Sequence, residues 1–304
     1  MENGVEGKGL CLIAGCGYTG VRLARRLLRV GQVLALVRGP ASAAALLGQG
    51  IPAVAVDFDA DVSPPTLPPD LGAVVYLAPP AAVGTEDLRL ARFLQALGPA
   101  RPEVFVYLST TGVYGDTGGA AVDEASPAAP REDRSKQRRD AECQVTAWCG
   151  ARGVRPVILR VPAIYGPHRL PLDRLQRGEP VLREADSGPG NRIHVDDLVA
   201  ACAVALGRPV SGVFNLTDGV PESMAEFTSR VAALADLPAP RRVSWAEAQT
   251  LLSPGLLAFL RESRLVTSRR MLELGWTPTY GNPDDGIRAS LGEMGWAGPS
   301  SAGR

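Results

Sequence analysis

Residues 15–20, with the sequence Gly-Cys-Gly-Tyr-Thr-Gly, are the strongest local candidate for chemistry in this chain. They follow a short apolar run over 10–14 and precede a helical pattern over 19–30. In a turn with this spacing the first glycine makes the tight bend, the second lets a pyrophosphate approach the backbone, and the third lets helix and strand pack closely. The free N–H groups at the start of the helix would then face the phosphates. The residues predicted to contact a dinucleotide in this turn are Gly15, Gly17, Tyr18, Thr19 and Gly20.

The residue after the second apolar run, 33–37, bears on which dinucleotide fits. That residue is Arg38, and no Asp or Glu occurs between Glu6 and Asp57. A carboxylate at this point accepts hydrogen bonds from the ribose hydroxyls of NAD and repels a 2′-phosphate, whereas a guanidinium can pair with that phosphate in a bidentate way. The sequence therefore favours NADP(H) over NAD(H), with a solvated loop arginine as the alternative for Arg38.

Two further apolar runs, 53–56 and 73–78, end in residues that could border the cofactor. An acid after the first of them could accept a hydrogen bond from the adenine amino group, although it could equally be a solvated loop acid. The second run ends without a bulky side chain, which suits close approach of a cofactor. The residues predicted to contact the cofactor here are Asp57, Phe58, Ala78 and Pro79.

The elements that must position these residues alternate between short apolar runs and longer helical patterns. Most runs have about five residues without polar alternation, which is typical of strands buried on both faces. The predicted strands are 10–14, 33–37, 53–56, 73–78, 104–108, 157–160 and 212–216. The predicted helices are 19–30, 41–47, 86–97, 131–151, 196–206, 223–234, 244–258 and 268–274. This alternation predicts an α/β fold with a Rossmann-type, doubly wound parallel sheet of about seven strands and a small C-terminal substrate lobe.

Four more segments carry short patterns in a fixed order along the chain. They are 109–115 (STTGVYG), 159–167 (LRVPAIYGP), 192–197 (RIHVDD) and 274–278 (LGWTP). Together with the glycine turn, they resemble the extended short-chain dehydrogenase/reductase superfamily, in its NAD-dependent epimerase/dehydratase branch. More narrowly, the chain looks like compact members described as nucleoside-diphosphate-sugar epimerase-like.

The fold and the resemblance together predict domains that interleave along the chain. We expect a dinucleotide-binding Rossmann part at 1–169, a substrate-lobe insertion at 170–192, a return to the Rossmann part at 193–220, and the rest of the lobe at 221–296. A disordered tail is expected at 297–304. The substrate would lie in the crevice between the two parts.

The Tyr-x-x-x-Lys pair on which catalysis in this family relies is absent from the chain. In the family, the tyrosine is the general acid/base, and the lysine lowers its pKa and holds the nicotinamide ribose. No tyrosine occurs between Tyr114 and Tyr165, and Lys136 is the only lysine beyond the first predicted strand. The departure puts the activity itself in question.

Two alignments of the dyad region were compared. Placing the family's Ala-Glu on 141–142 puts Arg134 at the tyrosine position and Arg138 at the lysine position. Anchoring on 135–136 instead puts Glu132 at the tyrosine position. Arg138 could still hold the ribose, whereas Arg134 cannot exchange protons at neutral pH. The alternative for this charged segment is a solvated helix face.

The resemblance also implies roles for residues after the later strands. Thr110 matches the family's catalytic hydroxyl, and its alternative is a cap on the following turn. Tyr114 is the nearest phenol and a substitute acid/base by proximity, with a packed structural aromatic as its alternative. The predicted catalytic residues are Thr110, Tyr114, Arg134 and Arg138, and the residues expected beside the nicotinamide are Pro162, Ala163 and Ile164. The predicted substrate residues are Tyr165, Arg169, Arg192 and His194. The alternative for each of the two arginines is a surface cation, and the alternative for the histidine is a structural role.

Composition bears on partners and location. The 32 Lys and Arg balance 32 Asp and Glu, so nothing attracts the chain in general to nucleic acid or to an anionic membrane. Residues 1–8 have no apolar signal-sequence core, the five cysteines have no zinc-ligand spacing, and His168 and His194 lie too far apart to predict a metal site. We expect a cytoplasmic protein with a small-molecule substrate and no nucleic-acid or membrane partner. The resemblance adds a homodimer through the helices at 86–97 and 131–151.

Two functions stay open on the sequence. The first is an NADP(H)-dependent oxidoreductase or epimerase for a small polar substrate, with sugar nucleotides among the candidates. There Thr110 would orient the reacting oxygen, and water or a nonstandard residue would move the proton. The second is a catalytically silent NADP(H)-binding sensor or regulatory protein that kept the fold and lost the dyad. An interaction protein that binds no dinucleotide is a further alternative.

Overall fold

A sheet of seven parallel strands forms the centre of the protein, whose computed structural model describes residues 9–60 and 66–298. The described strands are β1 (Leu10–Ala14), β2 (Gln32–Val37), β3 (Ala53–Ala55), β4 (Leu71–Tyr76), β5 (Val104–Thr110), β6 (Ala121–Val122), β7 (Arg155–Val161), β8 (Ala163–Tyr165), β9 (Val181–Leu182), β10 (Arg192–His194), β11 (Gly212–Asn215), β12 (Arg242–Val243) and β13 (Leu265–Val266). The sheet order is β11-β7-β5-β4-β1-β2-β3. Each of the seven predicted strands lies in this one sheet, which confirms the predicted α/β class.

The helices connect these strands and then build the C-terminal lobe. They are α1 (Tyr18–Leu27), α2 (Pro40–Leu47), α3 (Leu88–Ala96), α4 (Asp133–Gly150), α5 (Leu172–Gln176), α6 (Val195–Gly207), α7 (Met224–Leu234), α8 (Trp245–Leu251), α9 (Pro254–Arg261), α10 (Arg269–Glu273) and α11 (Pro283–Glu293). Within 9–60 and 66–298, no helix is long and apolar enough to cross a membrane.

The strands are apolar throughout because helices cover both faces of the sheet. Successive residues of a strand point to opposite faces. Ile13 and Val75 pack in the cluster that α1 and α6 cover, whereas Leu12 and Val74 pack in the cluster that α3 and α4 cover. All four side chains are fully buried. A strand buried on both faces needs an unbroken apolar run, which is the pattern seen in the sequence.

The connections reverse direction between β1 and β4, and this reversal locates the crevice. From β1 the chain proceeds outward to β2 and β3, then returns to place β4 on the other side of β1. In open α/β sheets, ligands bind beyond the carboxyl ends of the strands at such a point. The glycine turn follows β1 at this edge, and the residues after β4 face it.

The second half of the chain divides between the sheet and the lobe. Strand β11 pairs with β7 at the sheet edge, so the chain does return to the sheet after α6. The lobe has two apolar clusters, one containing Leu172, Phe227 and Ile287 and the other containing Leu182 and Val243. The observed order agrees with interleaved domains, and the proposed domain boundaries stay a prediction.

Two sequence expectations about the lobe need correction. The single helix predicted over 244–258 was wrong, because α8 ends at Leu251 and α9 begins at Pro254, with the Ser253 hydroxyl capping it. A proline lacks the N–H that a continuing helix needs and is favoured in a first turn. Helix α11 was not predicted at all. Of the tail expected to be disordered, residues 299–304 lie outside the described residues.

Candidate functional site

The three glycines of the turn after β1 differ in what a side chain at each position would meet. Gly15 has φ +87°, and a Cβ there would lie 2.4 Å from the Ala78 nitrogen. A Cβ on Gly20 would meet the Gly15 carbonyl at 3.1 Å, so this position lets α1 pack close to the turn. A Cβ on Gly17 would meet no described atom within 4 Å. Gly17 is therefore the position at which a ligand, rather than the protein, would approach the backbone.

The start of α1 is suited to hold phosphate. Gly17 is its N-cap, no described side chain caps its first N–H groups, and its first turn carries no acid. The Gly15 N–H donates to the Leu36 carbonyl at 2.9 Å, which fixes the turn to β2. An uncapped helix N-terminus with open space in front of it is an anion site. These residues therefore fit the pyrophosphate of a dinucleotide.

Tyr18 links the glycine turn to the segment after β8. Its hydroxyl donates to the Pro167 carbonyl at 2.9 Å, and the Arg169 guanidinium lies 4.1 Å from its ring centroid. Thr19 is buried beside it. The sequence left open where Tyr18 points, and these contacts direct it along the edge of the crevice toward the predicted substrate residues.

The end of the crevice beside β2 and β3, where the adenosine was predicted, carries more charge than the sequence indicated. Arg38 is exposed at the end of β2, and Asp57 is exposed and accepts from the Asp59 N–H. The ring of Phe58 turns into the core, edge-on to another phenylalanine at 5.5 Å. Sequence reasoning missed the ion pair of Asp59 with Arg89, which lowers the pKa of that carboxyl. The pairing is tertiary, since the partners lie on different connections.

Thr110 and Tyr114 both have structural partners. Thr110 Oγ1 accepts from the Gly112 N–H at 3.1 Å and caps a short 3-10 turn over Thr111–Tyr114. Tyr114 is buried and donates to Asn215 Oδ1 at 2.8 Å, and burial raises the pKa of its phenol. These contacts are the ones expected under the structural alternatives for both residues, and their catalytic roles stay a prediction.

The two arginines of the dyad region lie in different surroundings. Arg134 is exposed in the first turn of α4. Arg138 Nη1 donates to the Leu108 carbonyl at 2.9 Å, to the Tyr107 hydroxyl at 3.2 Å and to the Ala78 carbonyl at 3.3 Å. It therefore places a fixed positive charge beside the carboxyl ends of β4 and β5. That is where a cation holding the nicotinamide ribose would be expected.

A basic cavity of about 360 Å³ adjoins the strand after Pro162. Among the predicted residues it is lined by Ala163, Ile164, Tyr165, Arg169 and Arg192. Arg174 and Arg177 also line it and were missed, although they lie one helical turn apart in the predicted insertion. Asp173 lines it as well, and Arg174 and Arg177 both pair with Glu179 at 2.7 Å. Of the four arginines, Arg169 is the one without an ion pair among the described residues, and its guanidinium suits an anionic ligand.

Arg192 is not a free cation at the cavity wall. It is buried and pairs with Glu222 Oε2 at 3.1 Å, and it donates to the carbonyls of Glu222 and Ser223. Its guanidinium also lies 4.3 Å from the Phe227 ring centroid. An anionic ligand that approaches Arg192 would therefore meet an already neutralised pair, and Arg169 is the more accessible charge.

His194 is held as the N-cap of α6. Its Nδ1 accepts from the Asp196 N–H at 3.2 Å, and Nε2 lies 3.2 Å from the Ser290 hydroxyl. Only 1% of the residue is exposed, and burial lowers its pKa to about 4. At neutral pH the ring is uncharged and fully engaged, as the structural alternative for this residue expects.

This burial predicts a pH-dependent stability. Unfolded histidine takes up a proton near pH 6.5, whereas folded His194 does so only near pH 4, so stability falls as the pH falls through that interval. We expect His194→Asn, which keeps an acceptor for the Asp196 N–H, to remove up to about 3 kcal/mol of that loss between pH 7 and pH 4. Urea unfolding at a series of pH values measures it. Exposed His168→Asn is the control, and equal pH profiles for both variants would contradict the expectation.

The chain is similar to a curated protein over part of its length and to a solved structure over most of it. Human dTDP-D-glucose 4,6-dehydratase is 36% identical over 150 residues, which cover 46% of this chain and 43% of that protein. The match thus spans less than half the length of that curated relative. A solved structure of a functionally unknown conserved protein from Silicibacter pomeroyi is 29% identical, with a TM-score of 0.80 over 94% of this chain and 99% of that one.

A more distant solved structure shares the fold. UDP-glucuronic acid 4-epimerase from Bacillus cereus, in complex with UDP-glucuronic acid and NAD, superposes with a TM-score of 0.75 at 19% identity, over 94% of this chain and 99% of that one. The model of the NAD dependent epimerase/dehydratase family matches residues 11–217, which is more than half of the chain. The chain belongs to the NAD dependent epimerase/dehydratase family.

Proposed function

We propose that this protein is an NADP(H)-dependent oxidoreductase or epimerase for a small anionic, polar substrate of the sugar-nucleotide class. One observation carries the proposal: the basic 360 Å³ cavity opens beside Ala163 and Ile164, at the same sheet edge as the uncapped start of α1. A dinucleotide on the glycine turn and an anion in the cavity would therefore lie side by side. The names of the relatives contain sugar nucleotides, and the negative charge of such molecules would suit the arginines of this cavity.

The chain's own residues would divide the work of binding and orientation. The backbone at Gly17 and the first N–H groups of α1 would hold the pyrophosphate, and Arg138 would hold the nicotinamide ribose. The nicotinamide supplies hydride transfer when bound. Thr110 would orient the reacting oxygen from the end of β5. With arginine at the family's tyrosine position, water or another side chain would move the proton.

The NADP(H) preference rests on charge at the end of β2. Arg38 is exposed there, and Asp59, the nearby acid, is already paired with Arg89. A 2′-phosphate at this point would thus meet a guanidinium and a neutralised carboxylate. The epimerase from Bacillus cereus was solved with NAD, so the preference is proposed for this chain alone.

Titration calorimetry with NADP⁺, NADPH, NAD⁺ and NADH tests the cofactor proposal. We expect Arg38→Ala to weaken NADP⁺ binding by about 10–100-fold, the range for losing hydrogen bonds to a charged group, and to leave NAD⁺ binding unchanged. Arg26→Ala, an exposed arginine on α1, is the matched control. Equal affinities of the wild-type protein for NADP⁺ and NAD⁺ would contradict the preference, and no binding of any dinucleotide would overturn the function.

A catalytically silent NADP(H) sensor is the second candidate. The sensor is favoured because both candidate catalytic hydroxyls already have partners in the protein. Thr110 caps a turn, and Tyr114 donates to Asn215. Such a protein would bind NADP(H) without turning over UDP-glucose or dTDP-glucose, and a partner's affinity would change with cofactor state. Analysis of the nucleotide sugars recovered after incubation with NADP⁺-loaded protein separates the two candidates. A new epimer or oxidised or dehydrated product identifies the enzyme even where the cofactor is regenerated in each turnover, and unchanged UDP-glucose and dTDP-glucose are expected of the sensor.

A further inference from the structure

A second, smaller cavity lies between the end of β5 and the lobe. Thr111 and Ala163 line it from the sheet, and Glu262 and Arg264 line it from the lobe. It shares Ala163 and other lining residues with the basic cavity, so the two are parts of one cleft. Its volume is about 60 Å³, which is room for about two groups the size of a water molecule.

The Glu262 carboxylate in this cavity is only half satisfied. Oε2 pairs with Arg264, whereas Oε1 is buried and has no hydrogen-bond partner among the residues that the structure describes. The side chain is 12% exposed. By contrast, both oxygens of buried Glu142 and of buried Glu222 accept from side chains of the protein. One oxygen of Asp87 and one of Asp218 are also buried without a described partner, but neither residue lines this cavity. A buried carboxylate oxygen without a donor is costly unless a ligand or water supplies one.

The segment around Glu262 is fixed to both walls of the cleft. The Ser263 N–H donates to Asp116 Oδ1 and its hydroxyl donates to the Pro189 carbonyl, each at 3.0 Å. Arg264 Nε donates to the Gly115 carbonyl at 2.7 Å. Held on both sides, Glu262 presents its free oxygen in one place. A side chain positioned in this way is organised for binding before the ligand arrives.

The chemistry of the pair indicates the ligand group. An ionised carboxylate only accepts hydrogen bonds, so the ligand must donate them. The guanidinium of Arg264 next to it opposes a metal cation, and the space at this end of the cleft suits one or two small polar groups. A hydroxyl or a pair of neighbouring hydroxyls meets both conditions.

We propose that Glu262 accepts hydrogen bonds from the hydroxyl-bearing edge of the substrate, so that the substrate is a polyol such as the sugar of a sugar nucleotide. The proposal rests on the proposed function, because it assumes that the anionic part of the same molecule occupies the basic cavity. It makes Glu262 a specificity-determining residue. No sequence motif of the chain contains this residue.

Calorimetry on NADP⁺-loaded protein tests the role of Glu262. The probes are UDP-glucose and dTDP-glucose, each compared with its bare nucleoside diphosphate. Of the two sugar nucleotides, the informative one is that whose bare nucleoside diphosphate binds the wild-type protein more tightly. We expect Glu262→Ala to weaken binding of this sugar nucleotide by about 10-fold or more and to leave binding of the bare nucleotide and of NADP⁺ unchanged. Exposed Glu184→Ala, in the same lobe, is the matched control. Glu262→Gln, which keeps the shape, replaces the alanine variant if thermal melting shows that it does not fold.

The outcomes separate this inference from the proposed function. Equal effects of the Glu262 variant on sugar nucleotide and bare nucleotide, or no effect on either, would overturn the role of Glu262 and leave the function standing. If wild-type protein binds NADP⁺ but none of the four nucleotides, both the polyol inference and the sugar-nucleotide class fail. If no NADP(H) binds, the function fails at the cofactor.

Discussion

Replacing Glu142 with glutamine is expected to lower the free energy of unfolding by about 3–5 kcal/mol, the range for breaking a buried ion pair from one side. Glu142 on α4 is fully buried and accepts from Arg160 on β7 through both oxygens, at 3.0 and 2.8 Å. It also accepts from the Ser109 hydroxyl at 2.6 Å. The amide keeps the volume of the side chain but leaves the guanidinium buried without its counter-charge.

Denaturant unfolding of wild-type and variant protein measures this loss, and Arg139 supplies the control. Arg139 pairs with the same carboxylate at 2.9 Å, yet its side chain is 44% exposed. Solvent screens such a pair, so Arg139→Ala should cost no more than about 1 kcal/mol. Similar losses for the two variants would show that the interior pair has no special weight.

This buried pair matters to the site because of the elements it joins. Arg160 also lies against the ring of Tyr114, whose hydroxyl bonds Asn215 on β11. The network thus fixes α4 against β5, β7 and β11 directly beneath Thr110 and one turn along α4 from Arg138. We infer that it stabilises the floor of the crevice and that Tyr114 takes part in this support.

The sheet could be predicted from sequence because burial on both faces leaves a local signature. Each strand is a continuous apolar run, and Gly15 and Gly20 answer close contacts within the turn and with the residues after β4. The lobe could not be predicted as well, because its short strands β9 and β12 have two residues each and gain stability only by pairing with each other. Helix α11 begins at Pro283 after a polar turn, and its apolar positions are few.

The reacting groups were harder to predict for a different physical reason. Whether a hydroxyl such as that of Thr110 is available depends on which donor the fold brings within about 3 Å. The sequence therefore leaves both the catalytic role and the turn-capping role of Thr110 open. Glu262 is the opposite case, because no motif in the sequence around it predicts a role in binding. The position of its side chain depends on tertiary contacts of the next two residues, which hold Ser263 to Pro189 and Arg264 to Gly115.

The glycine turn gives the second large expected effect, because two of its glycines should fail in different ways. Gly15→Ala places a Cβ 2.4 Å from the Ala78 nitrogen at φ +87°, so the turn or β4 must move. We expect a loss of about 3 kcal/mol or more in the free energy of unfolding, from the backbone conformation and the overlap together. Thermal and denaturant unfolding measure it.

Gly17→Ala should instead leave the fold intact and remove the cofactor. Gly17 has a negative φ of −96°, unlike Gly15, and its Cβ would contact no described atom within 4 Å. We expect Gly17→Ala to lower the free energy of unfolding clearly less than Gly15→Ala, because its methyl group overlaps no described atom. NADP⁺ affinity should fall at least about 10-fold, because the methyl group would occupy the approach of the pyrophosphate. Calorimetry of the folded variant decides the matter: wild-type affinity in Gly17→Ala would mean that the phosphates do not bind at this turn, and the assignment of the crevice as a dinucleotide site would fall with it.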